Sequence, residues 1–160
     1  MEKKIGLAVA CLWCFAAGEA GAALSGDVPL RSAQDPATQW RLEDIFPDGD
    51  AWEKERDAVE ALLPRLAGFS GRLGTSGTEL LEALRQEDEI GERLGRVYAW
   101  AHMKSHEDTT DPGAQGRADR ATLLSVKAAS AGAFLAPEIL ALSPDVLEGF
   151  FRDVPALAPY

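Results

Sequence analysis

The sequence is poor in the residues that usually announce chemistry. It has two cysteines and two histidines in 160 residues. Cys11 and Cys14 share one leading apolar run, so their C-x-x-C spacing lacks the strand-turn-helix setting of a redox motif. Neither cysteine directly follows a cleavage site, as a lipidated one would. Once the leader is removed, no disulfide framework remains. Positive charge is also short: 16 Lys and Arg face 26 Asp and Glu, for a net charge of −10. That balance argues against nucleic acid and anionic membrane surfaces as partners. No run of alternating β-branched residues is present, so no strand is expected. There is no G-x-S-x-G elbow and no phosphate-cradling glycine loop ending in Lys-Ser or Lys-Thr.

What is present begins with an export leader. Glu2, Lys3 and Lys4 give a charged start, Ile5 to Ala17 runs apolar, and a small, alanine-rich stretch follows. This is the order of a secretory signal peptide, with Ala20-Gly21-Ala22 supplying the small-residue cleavage site. The expected division is a signal peptide over 1–22, an extended lead-in over 23–49 and a helical domain over 50–160. The product is then exported to the periplasm or beyond, with no membrane contact after cleavage. The alternative is an uncleaved anchor formed by residues 5–17, although a relaxed span needs ~20 apolar residues. About 138 residues remain after residue 22, enough for one domain around one core.

The remainder predicts an all-α fold, a bundle of four to five helices. Trp40, Leu42, Ile45 and Phe46 cluster too irregularly for a regular element and read as an apolar clamp laid across helices. Asp50 opens the first helix, with Glu53 completing a capping box. Trp52, Val59, Leu62, Leu63 and Leu66 then recur at helical spacing. Pro64 should kink or break that helix, and the glycines from Gly68 to Gly77 form a turn. A second helix starts near Ser76 or Thr78. Its stripe runs through Leu80, Leu81, Leu84, Ile90, Leu94, Val97, Tyr98 and Ala101, with a break expected between Gln86 and Asp88. Asp111-Pro112 opens a third helix, whose apolar positions include Leu123, Leu124, Val126, Ala128, Ala131, Phe134 and Leu135. Pro137 ends it, and a short turn follows over Glu138 to Leu142. Ser143-Pro144 opens a last helix bearing Val146, Leu147, Phe150 and Phe151.

His102 and His106 are four apart, so both project from one helical face. That is the spacing zinc uses in H-E-x-x-H. Here Met103 stands where the general-base glutamate belongs, and Glu107 lies on the wrong side of the pair. Glu107, Asp108 and Asp111, with Thr109 and Thr110, form an acidic group. Two such carboxylates could do acid–base work in a cleft, but capping a helix end is the plainer role. No catalytic, cofactor-binding or metal-ligating residue is therefore assigned, and no cofactor is expected in this chain.

Three segments resemble one known family. Trp40-Arg41-Leu42-Glu43-Asp44-Ile45-Phe46 resembles the W-x-L-x-D-[IL]-[FY] opening of oligoendopeptidase F. Arg96-Val97-Tyr98-Ala99-Trp100-Ala101-His102-Met103, followed by Asp108-Thr109, resembles its Y-A-x-x…D-T helix and turn. Phe134-Leu135-Ala136-Pro137-Glu138-Ile139-Leu140 resembles its F-x-x-P-E-[IL]-L element. The match is collinear from Trp40 to Tyr160. It implies the N-terminal helical region of a zinc metallopeptidase, similar to the thimet-oligopeptidase type, that hydrolyses short peptides in its complete form. The family's zinc helix belongs to a later catalytic region, and none of its residues maps onto this chain.

Two readings follow. The first is a truncated peptidase, inactive alone, whose last helix leaves Phe150 and Phe151 open and promotes self-association. The second is a free-standing exported helical module that binds peptides or a partner protein.

Overall fold

The computed structural model describes residues 33–160. The chain forms two compact units, Met1–Gln39 and Trp40–Tyr160. The signal-peptide residues, both cysteines and residues 23–32 of the 23–49 lead-in lie outside the described residues. In the described part of the first unit, the 3-10 turn Pro36–Thr38 is capped by Asp35, whose carboxylate accepts from the Ala37 amide.

The second unit is all-α, with five helices among the described residues: α1 Gly49–Ala67, α2 Gly77–Glu107, α3 Pro112–Gly132, α4 Leu135–Leu140 and α5 Pro144–Asp153. Helices α1, α2 and α3 pack pairwise around one core. Val59 and Leu66 of α1, Leu80 and Val97 of α2, and Ala121 and Leu124 of α3 are buried in it. Small residues do this work on α3: Ala114, Ala118, Ala121 and Ala128 are all buried, which brings its backbone close to its neighbours. Charged pairs run across the seams. Arg93 holds both carboxylate oxygens of Glu55, at 2.6 and 3.2 Å, and this hydrogen-bonded pairing keeps the Glu55 carboxyl below the usual carboxylate range.

Several helix ends differ from the sequence expectation. The cap of α1 is Asp48, not Asp50: its backbone is extended and its side chain accepts from the Ala51 amide at 2.8 Å. The described part of the stretch expected as an extended lead-in thus holds the 3-10 turns Pro36–Thr38 and Leu42–Asp44, and the first long helix starts at Gly49. Pro64 does not break α1, which continues to Ala67. Its ring lies on an exposed position in the last turn, and α1 continues although the bond that an N–H at 64 would give the Glu60 carbonyl is lost. Helix α2 is continuous through 86–88, and Gln86 is buried there beside Glu89. Helix α3 stops at Gly132, before Pro137. Pro137 instead sits in the first turn of α4, where its missing N–H costs nothing. The stretch expected as a turn from Glu138 is thus mostly helix. Ser76, Asp111 and Ser143 do cap α2, α3 and α5 as read from sequence.

The last helix finds its partners inside the chain. Leu147, Phe150 and Val154 pack on the core, and Leu157 is buried in the 3-10 turn Pro155–Leu157. Gly77 lets this happen: a Cβ there would lie 3.0–3.2 Å from Val154 and Phe150. The expectation that both phenylalanines lie open is therefore corrected for Phe150, while Phe151 stays 45% exposed.

Glu138 ties α4 to the turn after α1. Its Oε1 accepts from the Gly71 amide at 2.6 Å and from the Ser70 hydroxyl at 3.3 Å. Gly71 adopts φ +78°, which glycine takes without steric cost and other residues do not, and this leaves its amide directed at Glu138. Glu138→Ala should lower stability by about 1–2 kcal/mol and expose the 68–75 turn to protease. Urea unfolding with limited proteolysis checks this, and an unchanged midpoint would contradict it.

Candidate functional site

The segment from Trp40 to Phe46 lies against α2, with its 3-10 turn Leu42–Asp44 burying Leu42 completely. Trp100 reaches back to it. Its indole Nε1 donates to the Phe46 carbonyl at 3.1 Å, and the Phe46 ring meets it edge-on with centroids 6.3 Å apart. Trp52 stacks on the other side at 6.2 Å and donates to the Val97 carbonyl at 2.8 Å. Both indoles thus bury apolar rings while satisfying their single donor.

Cations surround this aromatic cluster. Arg96 covers Phe46 at 5.5 Å, Arg120 covers Trp52 at 5.5 Å, and Arg117 and Lys104 approach Trp100 at 5.8 and 5.9 Å. Such contacts contribute about 0.5–2 kcal/mol each, depending on desolvation. Arg120 also pairs with Glu53, which joins α3 to α1. The clamp expected from sequence is present, although Trp40 itself is 65% exposed.

A cleft of about 380 Å³ opens beside Trp100, between the 43–49 segment and the turn from Glu107 to Asp111. Its carboxylates are engaged in structural work. Asp48 caps α1, Asp111 caps α3 through the Gly113 amide at 2.8 Å, and Glu107 pairs with Lys104 at 3.0 Å. Asp108 accepts from the Thr110 hydroxyl at 2.6 Å and amide at 2.9 Å; these bonds hold its carboxyl below the ordinary carboxylate range. A carboxylate held ionised in this way, as Asp108 is, is poorly placed to deliver a proton.

His102 and His106 do share a face of α2, with ring centroids 6.5 Å apart. Tyr98 stacks on His102 at 4.0 Å. The Thr122 hydroxyl donates to the Ala118 carbonyl at 3.0 Å and lies 3.3 Å from His102 Nε2, so the His102 ring faces α3. Among the described residues, no three His, Cys, Asp or Glu gather where they could hold a metal ion. Two imidazoles, one of them committed to Thr122, do not fit the three-ligand set of a zinc hydrolase.

Sequence reasoning placed Trp52 and Trp100 on helices but did not foresee that they stack on one another. It also missed the four cations around the aromatic cluster and the tie from Glu138. The signal for Trp100 was its place in the resemblance segment.

Comparison with known proteins gives a consistent answer. No family model matches the chain. Oligopeptidase PepF of Bacillus subtilis is 44% identical over 136 residues, covering 85% of this chain and 20% of that protein. Group B oligopeptidase PepB of Streptococcus agalactiae is 34% identical over 130 residues, covering 81% of this chain and 22% of that protein. The crystal structure of oligoendopeptidase-F from Enterococcus faecium superposes with a TM-score of 0.65 at 25% identity, over 71% of this chain and 22% of that one. A putative peptidase from Chlamydophila abortus shares the fold with a TM-score of 0.69 at 22% identity, over 81% and 22% of the two chains. The chain spans about a fifth of the length of these relatives.

Proposed function

Because the chain is related to the oligoendopeptidase F peptidases over most of its length, we propose that it forms the N-terminal helical part of an exported peptidase of this kind. The complete enzyme hydrolyses short peptides, and its zinc is held by residues outside this chain. The observation that carries the reading is the 44% identity with PepF over 136 residues. It is supported by the way two resemblance segments meet in one structure, Phe46 and Trp100 closing the same aromatic cluster. In this reading the chain's own residues supply a rigid scaffold rather than reacting groups. A free-standing binding module is the second reading, favoured by the way α5 and Leu157 cover the core without help.

The test is a joined polypeptide in which this chain replaces the matching segment of Bacillus subtilis PepF. It should hydrolyse a quenched peptide, whereas this chain alone should not, with or without added zinc. A folded but inactive joined polypeptide would contradict the proposal. So would turnover by the chain alone that disappears in a His102→Ala, His106→Ala variant.

A further inference from the structure

Helix α3 has too little polar surface for a helix with a free outer side. Lys127 is the single charged residue between Ala121 and Pro137, in a chain of net charge −10. Mean hydropathy in Pro112–Leu140 reaches 1.4 over an 18-residue window, yet only 11% of that window is buried. Leu123 and Val126 on the outer face of α3 are 55% and 61% exposed, and Leu140 on α4 is 85% exposed. Leu123 and Val126 are among the apolar positions that mark α3 in the sequence, and the structure turns them outward. An apolar helix face of this kind normally packs against something.

Beside this band a groove of about 570 Å³ runs between α1 and α3, past Pro64, Ala67, Val126 and Ser130. Its charged rim is neutralised, since Lys127 Nζ lies 2.5 Å from Glu60 Oε1. The groove therefore suits an uncharged ridge of side chains.

We propose that the outer face of α3, with this groove, docks an apolar helix from the rest of the peptidase. The inference rests on the peptidase reading. The relatives are far longer than this chain, which accounts for 20% of PepF, so most of such an enzyme remains to cover exposed apolar surface. A lipid bilayer fits less well. Arg117 and Arg120 project from α3 itself onto Trp100 and Trp52, and Arg120 pairs with Glu53, which holds the helix in the bundle. The net charge of −10 also opposes an anionic bilayer.

The paired substitution Leu123→Arg, Val126→Arg should act in opposite ways in two settings. In this chain alone the thermal midpoint should move by less than about 3 °C, because both side chains already face water. In the joined polypeptide with PepF the same change should shorten the thermal inactivation half-life by about tenfold or more, because it forces cations into a packed seam. Equal half-lives for variant and parent would overturn the docking proposal while the peptidase reading stood. An inactive joined polypeptide with the unaltered segment would instead defeat the peptidase reading, and the docking proposal with it. Two further results would overturn docking: a dimer of this chain dissolved by the substitutions, seen by sedimentation, or flotation of the chain with phosphatidylcholine vesicles.

Discussion

Trp52→Ala should cost the chain about 3–5 kcal/mol, a large share of the ~5–15 kcal/mol that holds a domain together. Trp52 is fully buried and is the largest such side chain among the described residues. Its removal leaves a cavity at the junction of α1, α2 and α3. It also strips the Val97 carbonyl of the indole donor, removes the face on which Trp100 stacks, and deprives Arg120 of its aromatic platform. These losses share partners, so they will not add as independent terms. Trp52→Phe keeps a ring and gives up the donor, so it should cost about 1–3 kcal/mol. Urea unfolding followed by circular dichroism separates the two variants. An alanine variant within about 1 kcal/mol of the parent would contradict a core organised around this side chain.

Gly77→Val should release α5. Position 77 is the first residue of α2, and a bare Cβ there would already stand 3.2 Å from the Phe150 backbone and 3.0 Å from Val154 Cγ2. A valine adds two methyls to that contact. A flexible side chain could swing aside, but Phe150 Cα cannot move without moving α5. Overpacking of this kind costs about 1–3 kcal/mol, more than the ~1 kcal/mol gained when glycine leaves a helix. The damage should be local: faster amide exchange across 144–157, with α1 to α3 still protected. A stabilised variant with α5 protected would show that the close approach at Gly77 is not required.

The parts of the fold legible in the sequence were those written in short-range chemistry. Ser76, Asp111-Pro112 and Ser143-Pro144 each carry their own cap or first-turn proline, and each marks a helix start where it stands. Asp48 and Asp50 were harder to separate, because both can cap and only the extended backbone at 48 decides between them. Prolines misled for a different reason. The sequence shows that Pro64 and Pro137 lack a donor, but not that one sits in a last turn and the other in a first turn.

The contacts that join distant segments were invisible. Nothing local says that Glu138 reaches Gly71, that Tyr160 donates to Asp88, or that Gly77 receives Phe150. Nothing in the sequence separates the exposed Leu123 and Val126 from the buried Leu124 and Ala128, because apolar residues mark both faces of α3 alike. The carboxylates around Asp108 were read correctly as turn and cap groups, since Asp-x-Thr and Asp-Pro each carry that chemistry within three residues.

The most direct test of the account is to read the DNA after the Tyr160 codon in all three forward frames. The peptidase reading predicts a frame that continues the helical sequence and reaches an H-E-x-x-H helix. A stop in every frame, followed by an unrelated gene, would contradict it and favour a free-standing helical module.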